Sequence, residues 1–194
     1  MTKGRLEAFS DGVIAIIITI MVLEMKVPHG AALADLKPLL WVFLSYVLSF
    51  VNIGTYWNNH HHMLHATKHV NGAVLWANLH LLFWLSLLPF TTGWMGENHF
   101  QAVPTALYGV VLFMSAVAYT ILAQMIVRAD GEQSLLARAI GDDRKGWFSL
   151  LLYAIGVPCA YFLPWLGGAL YVAVAIIWFI PDRRVAAVLP DHDQ

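Results

Sequence analysis

Residues 5–27 read RLEAFSDGVIAIIITIMVLEMKV. This stretch decides the fold. Arg5, Glu7 and Asp11 crowd its first turns, Glu24 stands near its end, and between them the run is aliphatic, broken only by Thr19. The length suits a bilayer crossing, which takes roughly 20 apolar residues. Charge at bilayer depth is costly and usually faces a protein interior or a water-filled path. A helix that is polar at one end and oily at the other is therefore more than an anchor. It also differs from a cleaved leader: the apolar core is long, acids lie within it, and no small-residue cleavage site follows at 25–28.

The rest of the chain agrees with a membrane class. Of 194 residues, 59% are hydrophobic and 12% charged, and the mean hydropathy is +0.66, outside the range of soluble domains. A net charge of −1 argues against a nucleic-acid partner, and the single cysteine, Cys159, excludes an internal disulfide. The expected architecture is all-α: one domain over 1–194 with six spans at about 6–27, 38–62, 72–94, 103–127, 146–163 and 165–180. A short helix is expected at 133–140. The last two spans form a hairpin turned at Leu163-Pro164-Trp165, and Gly167-Gly168 permits close helix approach.

An even span count puts both termini on one side. Lys3, Arg5, Lys68, Arg128, Arg138, Arg144, Lys145, Arg183 and Arg184 share that side, against Lys26 and Lys37 on the other. The positive-inside rule makes it cytoplasmic. Trp41, Trp94, Trp147, Trp165 and Trp178 fall near span ends, as an interfacial belt requires.

At about 100° per residue, Ile16, Thr19, Ile20, Leu23 and Val27 share one stripe, continued backwards by Gly12 and Ala8. Ser10 and Asp11 flank it at more than about 100°. Periodicity alone leaves two readings open, a lining for an ion path or ordinary packing of a very aliphatic helix.

Arg5-x-x-x-Phe9-Ser10-Asp11 at the start of the first helix resembles the signature of the transmembrane protein 175 family, bacterial relatives of the endolysosomal potassium channel. The polar end of the second span and Leu88-Pro89-Phe90 in the third extend the likeness. The resemblance implies a homotetramer in the plasma membrane of a bacterium, with four first helices around a pore that conducts potassium passively and needs no cofactor. It implies a constriction at Ile16, Ile20 and Leu23, and a role in potassium preference for Thr19. A ring of isoleucines gives an ion no substitute for its hydration shell, so a tight ring is dewetted and shut. Weak hydroxyl ligands permit only modest preference for potassium over sodium.

Arg5, Ser10 and Asp11 then form a structural clamp, since a buried charge needs a partner. The candidate partners are Asn58, His61, His62, His65, Asn71, Asn78 and His80. The alternative for Arg5 is snorkelling to the interface. Glu24 stands off the stripe at the outer mouth, either attracting cations or simply solvated.

Nine histidines is a high count, and five fall in 60–69. His61/His65 and His65/His69 pairs share helical faces and have metal-ligand spacing. A membrane metalloenzyme would need more histidine boxes, and only His80, expected to be the most buried of the set, lies elsewhere nearby. pH sensitivity through these histidines is the other reading. A secondary transporter would show matching halves, which the sequence lacks, although Pro89 and Pro158 can interrupt helices. No phosphate loop, nucleophile elbow or His-Glu-x-x-His is present. The expectation is a channel, with a transporter and a His60–His69 metalloenzyme as alternatives.

Overall fold

The computed structural model describes residues 2–131, 133–141 and 143–179. Ile180, expected to end the sixth span, and the basic pair Arg183 and Arg184 lie outside the described residues.

Helix α1 (Lys3–Ile20) tightens into a 3-10 turn, Met21–Glu24. A second 3-10 segment, Leu33–Leu39, leads through Pro38 into α2 (Leu40–Ala66). Then come α3 (Gly72–Ser86), α4 (Leu88–Glu97), α5 (Ala102–Asp130), α6 (Leu135–Ile140), α7 (Arg144–Phe162) and α8 (Pro164–Phe179). Among the described residues four segments are long and apolar enough to cross a membrane: Lys3–Glu24, Leu33–Ala66, Gly72–Glu97 and Ala102–Asp130. Pro164–Phe179 is apolar but shorter.

Some expected boundaries shift. The span expected at 72–94 corresponds to the apolar segment Gly72–Glu97, within which the helix breaks at Leu87, because Pro89 has no N–H to give the carbonyl four residues back. Helix α2 runs past the expected end at 62 to Ala66, so His65 joins His60, His61 and His62 on its last turns. The short helix expected at 133–140 starts at Leu135, where the Ser134 hydroxyl accepts the Ala137 N–H and caps it.

Packing is organised by α5, which lies against α3 and α7 and buries Tyr108, Leu112, Ala118, Leu122 and Ile126. Most polar side chains inside the bundle are paired, as a medium without water demands, although His60 Nδ1, Thr105 Oγ1 and Tyr171 Oη have no partner among the described residues. Ser49 Oγ lies 2.7 Å from Thr92 Oγ1 and donates to Tyr108 Oη at 3.0 Å. Helices α7 and α8 form the hairpin, with Pro164 in the first turn of α8, where its missing N–H costs nothing. Gly167 rests on the backbone of Ala160 with no room for a Cβ, whereas Gly168 faces open space.

Helix α1 lies across α2, α3 and α4. It turns Leu6, Ser10, Ile14, Ile17 and Met21 inward, a spacing of four, four, three and four residues that keeps one face against the bundle. The opposite face is exposed among the described residues.

Candidate functional site

The outward face of α1 carries Gly12, Ile16, Thr19 and Ile20, and Leu23 is exposed on the 3-10 turn that follows; Val27, expected on the same stripe, lies beyond the last helical turn at Glu24. Ile16 is 60% exposed, Ile20 40% and Leu23 77%, whereas Ile14 and Ile17 are 0% and 3% exposed. Two residues separate full burial from wide exposure. The Thr19 hydroxyl donates to the carbonyls of Ala15 and Ile16, each at 3.0 Å. With its proton held by the helix, the oxygen offers lone pairs to the outward face, the polarity a cation requires.

The motif at the start of α1 divides between the two faces. Arg5 and Phe9 precede Ile16 by eleven and seven residues and fall on the exposed side. Arg5 makes no hydrogen bond or ion pair among the described residues, so its expected place in the clamp is corrected. The helical period carries it away from α2 and α3.

Ser10 and Asp11 do the tying. Ser10 Oγ donates to the Leu6 carbonyl at 2.8 Å, Asn78 Nδ2 donates to Ser10 Oγ at 2.9 Å, and His60 Nε2 lies 2.7 Å from Asn78 Oδ1. A carbonyl only accepts, so the directions follow in order: the Ser10 hydroxyl donates, its oxygen takes the amide N–H, and the amide oxygen takes the His60 Nε2–H. One chain of bonds thus joins α1, α3 and α2. Asp11 Oδ1 accepts from Trp57 Nε1 at 3.0 Å. Beside it His61 Nδ1 meets Glu7 Oε1 at 3.2 Å, and Lys3 Nζ donates to the His65 carbonyl at the end of α2.

Of the expected partners, Asn78 reaches Ser10. The others do not reach Ser10 or Asp11. His61 pairs with Glu7, and its ring packs against those of His65 and His62. Asn71 caps α3 by accepting the Val74 N–H, His80 accepts from Trp84 Nε1, and Asn58 is exposed. His60, not His80, is the buried histidine: it is 0% exposed, and His80 is half-buried. His69 joins Asp130, which also accepts the Lys68 and His69 backbone N–H groups. Among the described residues no group of three or more His, Cys, Asp or Glu is placed to share a metal ion.

Trp57 and His60 were missed as partners. The signal was present: Trp57, His60, His61 and Leu64 are spaced three, one and three along α2 and share its side facing α1.

At the far end of α1, Glu24 is exposed and lies near Gly93. Lys26 Nζ pairs with Glu97 Oε1 at 2.9 Å, and that hydrogen bond and charge raise the Lys26 pKa.

A family model described as endosomal/lysosomal potassium channel TMEM175 matches residues 5–89, which include the outward face of α1 and every member of the clamp. A potassium channel of Chryseobacterium sp. strain P1-3 is 54% identical over 192 residues, covering 99% of this chain and 100% of that one. The chain belongs to the TMEM175 family. A potassium channel of Streptomyces collinus is 35% identical over 128 residues, 62% of each chain. The crystal structure of a lysosomal potassium-selective channel TMEM175 homolog from Chamaesiphon minutus superposes with a TM-score of 0.81 at 27% identity, covering 94% of this chain and 97% of that one. The all-helical fold described above is thus that of a TMEM175 membrane protein.

Proposed function

We infer that this TMEM175 member is a potassium channel, not an enzyme, and that its ion path runs along the outward face of α1. The observation that carries the ion path is the contrast within that helix. One face is buried and hydrogen-bonded to α2 and α3, and the other leaves Ile16, Thr19, Ile20 and Leu23 exposed among the described residues. Four copies around a symmetry axis would give that face its neighbours. The proposed unit is a homotetramer of single-domain, six-span subunits (the four long apolar segments plus the α7–α8 hairpin) in a bacterial plasma membrane, with both termini cytoplasmic.

In this arrangement Ile16, Ile20 and Leu23 form stacked apolar rings that shut by dewetting, and widening them admits a hydrated or partly hydrated ion. Thr19 lies between the first two rings with its lone pairs outward, a weak ligand set that favours potassium over sodium by a modest factor. Ser10 and Asp11 hold the helix rotation that aims the stripe at the axis.

Purified protein in a planar bilayer, with potassium on one side and sodium on the other, tests the reading. Ohmic steps reversing toward the potassium equilibrium potential are expected, with larger current for Ile16→Asn. Silence from both proteins would overturn it.

A further inference from the structure

Helix α1 turns its charged side chains away from its open face, with one exception. Counted from Ile16 at about 100° per residue, Glu7 falls about 180° round the helix, Lys3 and Asp11 about 140°, and Arg5 only about 20°. The three that turn away are engaged. Lys3 donates to the His65 carbonyl, Glu7 meets His61 Nδ1 at 3.2 Å, and Asp11 accepts from Trp57 Nε1 at 3.0 Å. Arg5 is exposed and makes no hydrogen bond or ion pair among the described residues. A guanidinium keeps its proton at every physiological pH, so the face that carries Ile16, Thr19 and Ile20 begins with a permanent positive charge.

Two neighbours reinforce that charge. Thr2 places no side-chain hydrogen bond on the first turn of α1 and, among the described residues, no acid stands in that turn. The positive end of the helix dipole therefore adds to Arg5. Phe9, one turn further in on the same face, is 47% exposed, and an apolar wall of low dielectric concentrates a field. The other end of the face differs. Glu24 is exposed there, and the Lys26 charge is matched by Glu97 at 2.9 Å.

We propose that Arg5 is an electrostatic determinant of conduction: it lowers the cation concentration at the mouth where α1 begins, so that potassium enters less readily there than from the Glu24 end. The inference rests on the ion path proposed above and gives that path a direction. In a tetramer four guanidiniums would ring the mouth, and a ring of cationic side chains repels potassium. About 16 Å of helix separates Arg5 from Ile16, so the charge acts on entry and leaves the apolar constriction and Thr19 untouched. Screening supplies the signature. The Debye length is about 10 Å at 0.1 M salt and about 3 Å at 1 M, so current is asymmetric in dilute salt and ohmic in concentrated salt. With both termini cytoplasmic, the inward current is the larger one.

The test is planar-bilayer recording of the full-length protein in symmetric potassium chloride at about 0.05 M and about 1 M. A ratio of about two between the two current directions is expected in the dilute solution, falling to about one in the concentrated solution. Arg5→Gln should remove the asymmetry, and Arg5→Lys should keep it. Arg128→Gln, which removes a positive charge from the last turn of α5, should leave it unchanged. Arg5→Cys in a Cys159→Ala background lets the charge be set after folding. An impermeant cationic methanethiosulfonate should restore the asymmetry, with the side on which it acts becoming the side of slower entry, and an anionic reagent should reverse it. Asymmetry that ignores salt, persists in Arg5→Gln or is unmoved by either reagent would overturn this proposal and leave the channel reading standing. Silence from both the parent and Ile16→Asn would overturn the channel reading and the proposal with it.

Discussion

The two faces of α1 are built from the same residue types and do opposite things. Ile14 and Ile17 are closed off by α2, α3 and α4, whereas Ile16 and Ile20 stand open. Aliphatic composition does not distinguish them. The polar residues do: Ser10 and Asp11 hydrogen-bond to α3 and α2 on one side, and the proposed ion path takes the stripe that is exposed among the described residues. A face held by packing should fail through stability, and a face that lines an ion path should fail through conductance.

The matched pair Ile14→Asn and Ile16→Asn offers the largest contrast. At position 14 the substitution removes packed carbons and buries an amide, at a cost of about 3–5 kcal/mol. At position 16 it should change stability by about 0.5 kcal/mol or less while raising current. Thermal melting of the detergent-purified protein, paired with bilayer recording, separates the two. Similar melting losses would break the comparison.

Asn78→Leu probes the clamp. It leaves Ser10 Oγ without its donor and His60 Nε2 without its acceptor, and should cost about 2–3 kcal/mol, read as a lower melting temperature. Trp57→Phe keeps an aromatic ring but takes the indole N–H from Asp11, with a loss of about 1.5–2 kcal/mol expected. Because Asp11 sets the rotation of α1, this variant should also alter conductance, which a purely structural loss elsewhere in the bundle would not do.

The smallest effect belongs to Lys26 and Glu97 at the exposed end. The Lys26 pKa is raised above 10.5 in the fold, so its contribution is fully present below pH 10.5 and fades as pH climbs through the raised value. Melting of Glu97→Gln should match the parent at neutral pH in moderate salt, since exposed pairs contribute little.

The long helices and the outward stripe were legible because each rests on local information: apolar length, the 3.6-residue period, and turn residues such as Pro164. The clamp was legible only in part. The polar ends of α1 and α2 announced that partners were needed, and Asn78 was among the candidates. Which histidine is buried depends on how α2 is rotated against α1, and no local pattern sets that angle. Arg5 was misplaced for a related reason. Its charge suggested a buried partner, but its period places it with Phe9 and Ile16. The break between α3 and α4 depended on Pro89, whose effect on a membrane helix is set by whether neighbours satisfy the freed carbonyls.

The central claim is that the outward face of α1 meets permeating ions. Silver-ion block of single cysteines in a Cys159→Ala background tests it most directly, because the thiol must be reached through water. Current through Ile16→Cys and Thr19→Cys should be blocked irreversibly, and current through Ile14→Cys should be unaffected. Block at position 14 with none at 16 or 19 would contradict the account.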